Sequence, residues 1–320
     1  MCFKYIRSRK PVEQPVGPLD GRDTKGALND DKVIAEKLNE FFASVFTAED
    51  VREIPKPEPS FVGDKSEKLS QIEVQLDIHP RVLKELKCEI AELLTVVCNL
   101  SFKSATIPND WKIANVTPIF KKGSRGDPGN YRPVSLTSVP GKLVETIVKN
   151  KIVRHIEEHK LLCKSQHGFC KGRSYFTNLL EFFEGVNKHV DKGNPVDIVY
   201  LDFQKAFDKV PHQRLLCKLS CHGIRGKILS WTENWLKDRE QRVGINGKFS
   251  EWRRVTGSVP QGSVLGLILF NLFINDLEKR VNSEVAKFAD DTKLLKIVKT
   301  KADCEELQKD LTKLSDWATK

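Results

Sequence analysis

The chain has 320 residues, 39% hydrophobic and 30% charged, enough for a sizeable core in one large domain or two ordinary ones. Lysine and arginine number 53 against 43 acidic residues, a net charge of +10. That excess suits a polyanionic partner, although charge alone also fits a merely soluble basic protein. No apolar run is long enough to span a bilayer, since the longest candidate, 264–274, is short and interrupted by Gly266 and Asn271. The N-terminus, MCFKYIRSRK, lacks the apolar stretch of a secretory signal, so no membrane or secreted role is expected.

Residues 1–30 are rich in proline, glycine and charge and read as a linker or disordered tail. Between Asp31 and Phe46, Val33, Ile34, Leu38, Phe41, Phe42 and Val45 recur at helical spacing. VREIPKPEPSFVGDK, with three prolines, reads as loop. A second helical pattern runs from Pro80 to about Leu100, so 31–105 is expected to be a helical N-terminal extension without obvious chemistry. The eight cysteines are scattered and form no Cys-x-x-Cys pair. Cys217, Cys221 and His222 approach ligand spacing with no second pair nearby, so ordinary reduced thiols are expected.

The character changes at about residue 106. WKIANVTPIFKKG alternates apolar and polar residues and ends in Lys121, Lys122 and Gly123, a strand leading into a basic turn. GNYRPVSLTS follows, then a helix from about Gly141 to Lys160. QHGFCKGRS is a second basic loop; Lys171, Gly172 and Arg173 suit phosphate and equally suit a solvated loop. VDIVYLDF is a β-rich segment with Asp202 near its C-terminal end, and QKAFDKVPHQRLLCKL reads as helix. Residues 239–256 hold two strands around Asn246-Gly247, a strong hairpin signal. SVPQGSVLG is loop, an apolar helix runs from about Val264 to Asp276, and an amphipathic helix spans about Ala302 to Trp317.

Between those last two helices stands KFADDTKLL. Asp290 and Asp291 fit an exposed acidic turn, or a hairpin tip that holds a divalent cation. If this hairpin and the strand ending at Asp202 are neighbours in one sheet, three carboxylates converge. Without a cation they would raise one another's pKa values. Two Mg²⁺ ions about 3.5–4 Å apart would relieve that repulsion and could clamp an in-line phosphoryl displacement.

YLDFQKAFDKVPH, SVPQGSVLG and FADDTKLL, in that order, resemble the palm motifs of reverse transcriptases, while WKIANVTPIFKKG, GNYRPVSLTSVPGK and SQHGFCKGRS look like the fingers. The combination is similar to reverse transcriptases of non-LTR retrotransposons of the jockey and long-interspersed-element kind. The resemblance is dense from about Thr106 to Lys320. It implies an α+β fold, a right-hand polymerase palm with an antiparallel sheet backed by helices, plus fingers, over 106–320. It also implies RNA-directed DNA polymerase activity on RNA template, DNA primer and dNTP, inside the nucleus or cytoplasm, with no membrane and no obligate protein partner. Asp202, Asp290 and Asp291 look like the catalytic carboxylates. With the Phe203 carbonyl they would hold two Mg²⁺ ions, or Mn²⁺ in their place. Phe207 would exclude a 2′-hydroxyl, although its spacing alone favours plain helix packing. Gln261 and Gly262 resemble the loop on the incoming nucleotide. Arg132, Lys121 and Lys122 resemble the cations on the triphosphate; for the two lysines a solvated turn competes. His167, His212 and His222 are expected to be structural.

Departures from the family pattern set a rival expectation. Val74-Gln75-Leu76-Asp77 replaces the usual glycine-rich loop before Ile78-His79-Pro80. Gly257-Ser258-Val259 stands for Ser-Gly-Val, so a positive φ at Ser258 would strain the loop by about 1 kcal/mol. Leu267 occupies a usual proline position. The sequence stops at Lys320, before the place where the thumb should follow, so a catalytically inactive truncated remnant that at most binds nucleic acid is the alternative. A metal-dependent nuclease would use similar carboxylates but leaves PQG and NYRP unexplained.

Overall fold

The structure, a computed structural model, describes residues 16, 19–20, 27–28, 30–47, 49 and 87–319. The proline-rich loop, the segment around 74–80 and the start of the second helix lie outside the described residues.

Two short strands, β1 (Leu19–Asp20) and β2 (Ala27–Leu28), pair antiparallel inside the stretch whose composition reads as linker. Leu19 is fully buried beside the next helix, which is what ties this segment down. Helix α1 (Asp31–Ser44) starts where the Asp30 carboxylate accepts from the amides of Lys32 (2.8 Å) and Val33 (3.1 Å). Ile34, Ala35, Leu38 and Phe42 form its buried face. Helix α2 (Lys87–Ser104) packs Phe102 on Trp231, whose indole N–H donates to Ser101 (3.0 Å).

Strands β3 (Ile113–Phe120) and β4 (Tyr131–Leu136) pair antiparallel around the turn at 121–130. Helix α3 (Val139–Glu158) begins under a Ser138 cap with Pro140 in its first turn, and α4 (Tyr175–Val190) under a Ser174–Thr177 capping box. Strand β5 (Val196–Leu201) follows. The helix expected directly after it is shorter: 204–209 are turns and α5 covers His212–Cys221. Lys205 sits at φ +53, which cannot continue a right-handed helix, and Pro211 disfavours helical backbone at Val210.

Helix α6 (Gly226–Leu236) leads into β6 (Arg239–Ile245), whose burial alternates strictly. Asn246 (φ +46) and Gly247 (φ +79) make the expected two-residue turn to β7 (Lys248–Phe249), and β8 (Arg253–Val255) pairs on β6 as well. Helix α7 (Gly266–Phe273), strands β9 (Glu284–Phe288) and β10 (Asp291–Ile297), and helix α8 (Lys301–Thr319) complete the chain.

The architecture is α+β, two sheets backed by helices. One sheet runs β4-β3-β6-β7 with β8 on β6, and α1 covers it through Leu38, Phe42, Val116, Tyr131 and Val243. The other is antiparallel, ordered β5-β10-β9. Leu294 of β10, with Val199 and Leu201 of β5, faces a large core built by α3, α5, α6 and α7, including Val148, Leu219, Trp231 and Phe270. One face of this small sheet is thus anchored in the main core, which fixes the strand ends that carry the acidic residues.

Candidate active site

The register of β5 against β10 pairs Leu201 with Thr292, so Asp202 and Asp291 are the next facing positions. Asp291 also pairs with Phe288, which makes Ala289 and Asp290 a two-residue hairpin loop. Ala289 has φ +57, and a positive φ at the first loop position alone is the pattern of a type II′ turn. That bend frees the adjacent aspartates from the strict alternation that a straight strand would impose. Asp202 and Asp291 are exposed and Asp290 is half-buried.

Burial pushes the Asp290 carboxyl above the ordinary carboxylate range; Asp291 and Asp202 push it the same way, against a backbone hydrogen bond and the Arg132 guanidinium. Asp290 therefore feels both neighbouring carboxylates, and a cation from the other sheet reaches it. Among the described residues, no three His, Cys, Asp or Glu side chains stand in metal-holding geometry. The donor set nonetheless fits a hard divalent cation. It consists of carboxylate oxygens, and a bound cation would offset both the burial and the neighbouring charges that raise the Asp290 carboxyl.

Arg132 and Lys121 also act on Asp208, whose carboxyl burial raises against its hydrogen bond from Gln261 and against Lys205, Arg132 and Lys121. Gln261 Nε2 donates to Asp208 Oδ1 (2.9 Å). Lys121 and Lys122 are exposed on the turn after β3, where the Lys121 amide donates to Asn130 O (2.8 Å). In the other basic loop Lys171 and Arg173 are both exposed, and the Arg173 guanidinium donates to Gln166 O (2.6 Å).

The PQG loop is stitched on three sides. The Ser135 amide donates to Gln261 O (2.7 Å), the Ser258 amide to Val210 O (3.0 Å) and the Val259 amide to Phe207 O (2.9 Å). Gly262 has φ +112, and a Cβ there would lie 2.6 Å from Ser135 O, so glycine is required. Ser258 is at φ +99, the strained conformation expected of a serine at this position. Phe207 stacks on Phe270 at 4.1 Å and meets Phe169 edge-on at 6.4 Å. Its ring is thus packed and fixed in direction between these two rings. Phe203 sets its ring edge-on to Trp317 of α8 (6.1 Å).

The three histidines are buried or half-buried and make internal hydrogen bonds. His167 contacts Thr177 (3.0 Å) and Glu181 (3.0 Å), His212 contacts Ser258 O (2.8 Å), and His222 contacts Lys218 O (2.7 Å) and Asn275 (3.1 Å).

Residues 119–320 match the family model described as reverse transcriptase (RNA-dependent DNA polymerase). The chain belongs to the reverse transcriptase family. It is 30% identical over 249 residues to the probable RNA-directed DNA polymerase from transposon BS of Drosophila melanogaster, a match covering 73% of this chain and 27% of that protein. It is 28% identical over 248 residues to the RNA-directed DNA polymerase from mobile element jockey of the same species, covering 74% of this chain and 27% of that protein. A Pol polyprotein from the type-1 retrotransposable element R1 of Bradysia coprophila is 25% identical over 327 aligned positions, covering 95% of this chain and 31% of that protein. The reverse transcriptase chain thus spans under a third of the length of these relatives.

Asp202, Asp290, Asp291, Phe207, Gln261 and Arg132 all lie inside the matched region of this reverse transcriptase. Two buried polar residues in the same region escape sequence reading. Glu145 of α3 is 1% exposed and accepts from Ser263 Oγ (2.8 Å), the Val264 amide (2.9 Å) and Trp235 Nε1 (3.3 Å), so it holds the end of the PQG loop. Gln166 is 1% exposed and bonds the turn before Asp290. A carboxylate in a long helix, and a glutamine opening a basic loop, both look like surface residues.

Proposed function

We propose that the chain is the nucleotidyl-transfer domain of a non-LTR retroelement, joining a dNTP to a primer 3′-hydroxyl on an RNA template. The β5-β10-β9 sheet serves as the palm and the β3–β4 region as fingers. Residues 106–320 make up this unit, and 31–105 form a helical extension. The observation that carries the reading is the register that sets Asp202 opposite Asp291 beside the turn at Asp290, whose carboxyl is raised first by burial and further by those two aspartates, against Arg132.

Asp202, Asp290 and Asp291, with the Phe203 carbonyl, would hold two divalent cations, Mg²⁺ or Mn²⁺. Bound there, such ions lower the pKa of the attacking hydroxyl and neutralise the leaving phosphates. Arg132 offers a bidentate fork to the triphosphate, and Lys121 and Lys122 add compact positive charge. Gln261 and Gly262 present their loop to the incoming nucleotide. Phe207, wedged between Phe270 and Phe169, is a rigid wall where a 2′-hydroxyl would project. The net charge of +10 favours the RNA template and DNA primer.

A second reading is nucleic-acid binding without chemistry. It draws on the lack of a coordination-ready ligand group among the described residues and on the strained Ser258. Equilibrium binding of a fluorescent dNTP with and without Mg²⁺ separates the two. The polymerase reading expects Mg²⁺-dependent binding that Asp290→Ala abolishes. Nucleotide binding that ignores Mg²⁺, or its absence beside intact nucleic-acid binding, favours the second.

A further inference from the structure

The loop carrying Asp290 does not stand alone. Gln166 Oε1 accepts from the Ala289 amide (2.9 Å) and from the Gly168 amide (2.8 Å), while its Nε2 donates to Ala289 O (3.3 Å). One side-chain amide therefore engages both backbone polar groups of the residue before Asp290. Its orientation is fixed, because only the oxygen can face two N–H groups.

The backbone around Gln166 is tied to the same hairpin. Residue 166 bridges Lys287 in parallel, the His167 amide donates to Lys287 O (2.9 Å), and the Lys287 amide donates to Ser165 O (2.9 Å). Asn178 Nδ2 adds a bond to Lys287 O (3.2 Å), and Asn271 Nδ2 of α7 holds Gly168 O (2.7 Å). A Cβ on Gly168 would lie 2.3 Å from the Ala289 nitrogen, so glycine lets the two chains touch. Ala289 itself sits at φ +57, a conformation that costs an L-residue about 1 kcal/mol or more. A strained bend persists when its surroundings over-determine it, and here Gln166 supplies that constraint.

We propose that Gln166 is a positioning residue for the metal-binding turn: it locks the backbone of Ala289 so that Asp290 points at Asp202 and Asp291. This rests on the polymerase reading, in which Asp290 is a metal ligand. Gln166 acts through the turn, as hydrogen-bond partners behind metal ligands generally do, and their loss typically weakens metal affinity by about tenfold or more.

The test is Mn²⁺ binding to the full chain, read by electron paramagnetic resonance, with a thermal melt on each protein. Wild type should bind and Asp290→Ala should lose most of that binding. Gln166→Met, which keeps length and removes all three bonds, should melt cooperatively yet bind Mn²⁺ about tenfold more weakly. A Gln166→Met, Ala289→Gly double variant should recover part of the loss, because glycine reaches the turn conformation unaided. Wild-type affinity in Gln166→Met, with binding lost in Asp290→Ala, overturns the positioning role and leaves the polymerase reading standing. Wild-type affinity in Asp290→Ala overturns both. If Gln166→Met does not fold, amide exchange at Ala289 in the wild-type chain decides: protection supports the clamp, and exchange at the rate of an open turn overturns it.

Discussion

The acidic side, the Asp290 turn taken together with the PQG loop, is held by buried polar residues, Gln166 under the turn and Glu145 at the end of the loop. On the basic side, Lys121 and Lys122 project from an exposed turn closed by bonds among its own residues, such as the Lys121 amide to Asn130 O (2.8 Å) and Asn130 Nδ2 to Ser124 O (2.8 Å), and Arg132 is exposed on β4. The difference follows from what each side has to do. Carboxylates that repel one another need a scaffold to keep them together. Lysines that meet a flexible polyphosphate act as point charges on flexible stems and need no such scaffold. The acidic side should therefore couple binding to stability, and the basic side should not.

The largest effect should come from the acidic side's buried charge. Glu145→Ala strands Ser263, the Val264 amide and the Trp235 indole, and should cost about 3 kcal/mol in urea unfolding. A loss under about 0.5 kcal/mol, the range of ordinary surface changes, would mean that the loop does not depend on it.

Acid should loosen the fold next. Burial pushes His167, His212 and His222 below the usual histidine range, against Glu181, the Ser258 carbonyl and the Lys218 carbonyl respectively. The unfolded chain then takes up protons first as pH falls. Their contribution is complete above about pH 6.5 and is lost progressively below it. Melting temperature followed from pH 7.5 to 5 should fall mainly below that value, and a rise would contradict the sign.

A smaller effect lies at the edge of the PQG loop. Ser258→Gly removes the strain of φ +99 and should stabilise the chain by about 1 kcal/mol, seen as a higher urea midpoint with unchanged slope. The smallest stability change belongs to the basic side. Lys121→Ala with Lys122→Ala should leave stability within about 0.5 kcal/mol while weakening dNTP and template binding and flattening its salt dependence. A large loss of stability there would erase the contrast between the two sides.

What could be seen in the sequence was local. KFADDTKLL announces a hairpin because apolar alternation flanks two adjacent acids, and Asn246-Gly247 marks its turn by residue type alone. Ser258 could be flagged because it displaces a glycine. The helix expected after Asp202 was read too long, since a positive φ at Lys205 leaves no trace in composition. Pairing at 19–20 and 27–28 was hidden by a linker-like composition and depends on Leu19 finding the buried face beside α1. Gln166 and Glu145 stayed invisible because their partners, Ala289 and Ser263, are distant in sequence, and a polar residue gains its role only when the fold closes around it.

The most direct test is primer extension with Mg²⁺ on a primed RNA template, beside an Asp290→Ala, Asp291→Ala control. Extension by the wild-type chain that vanishes in the control is the predicted result. No extension, with equal salt-sensitive nucleic-acid binding in both proteins, would contradict the claim that the doublet on β9–β10 is a working catalytic centre.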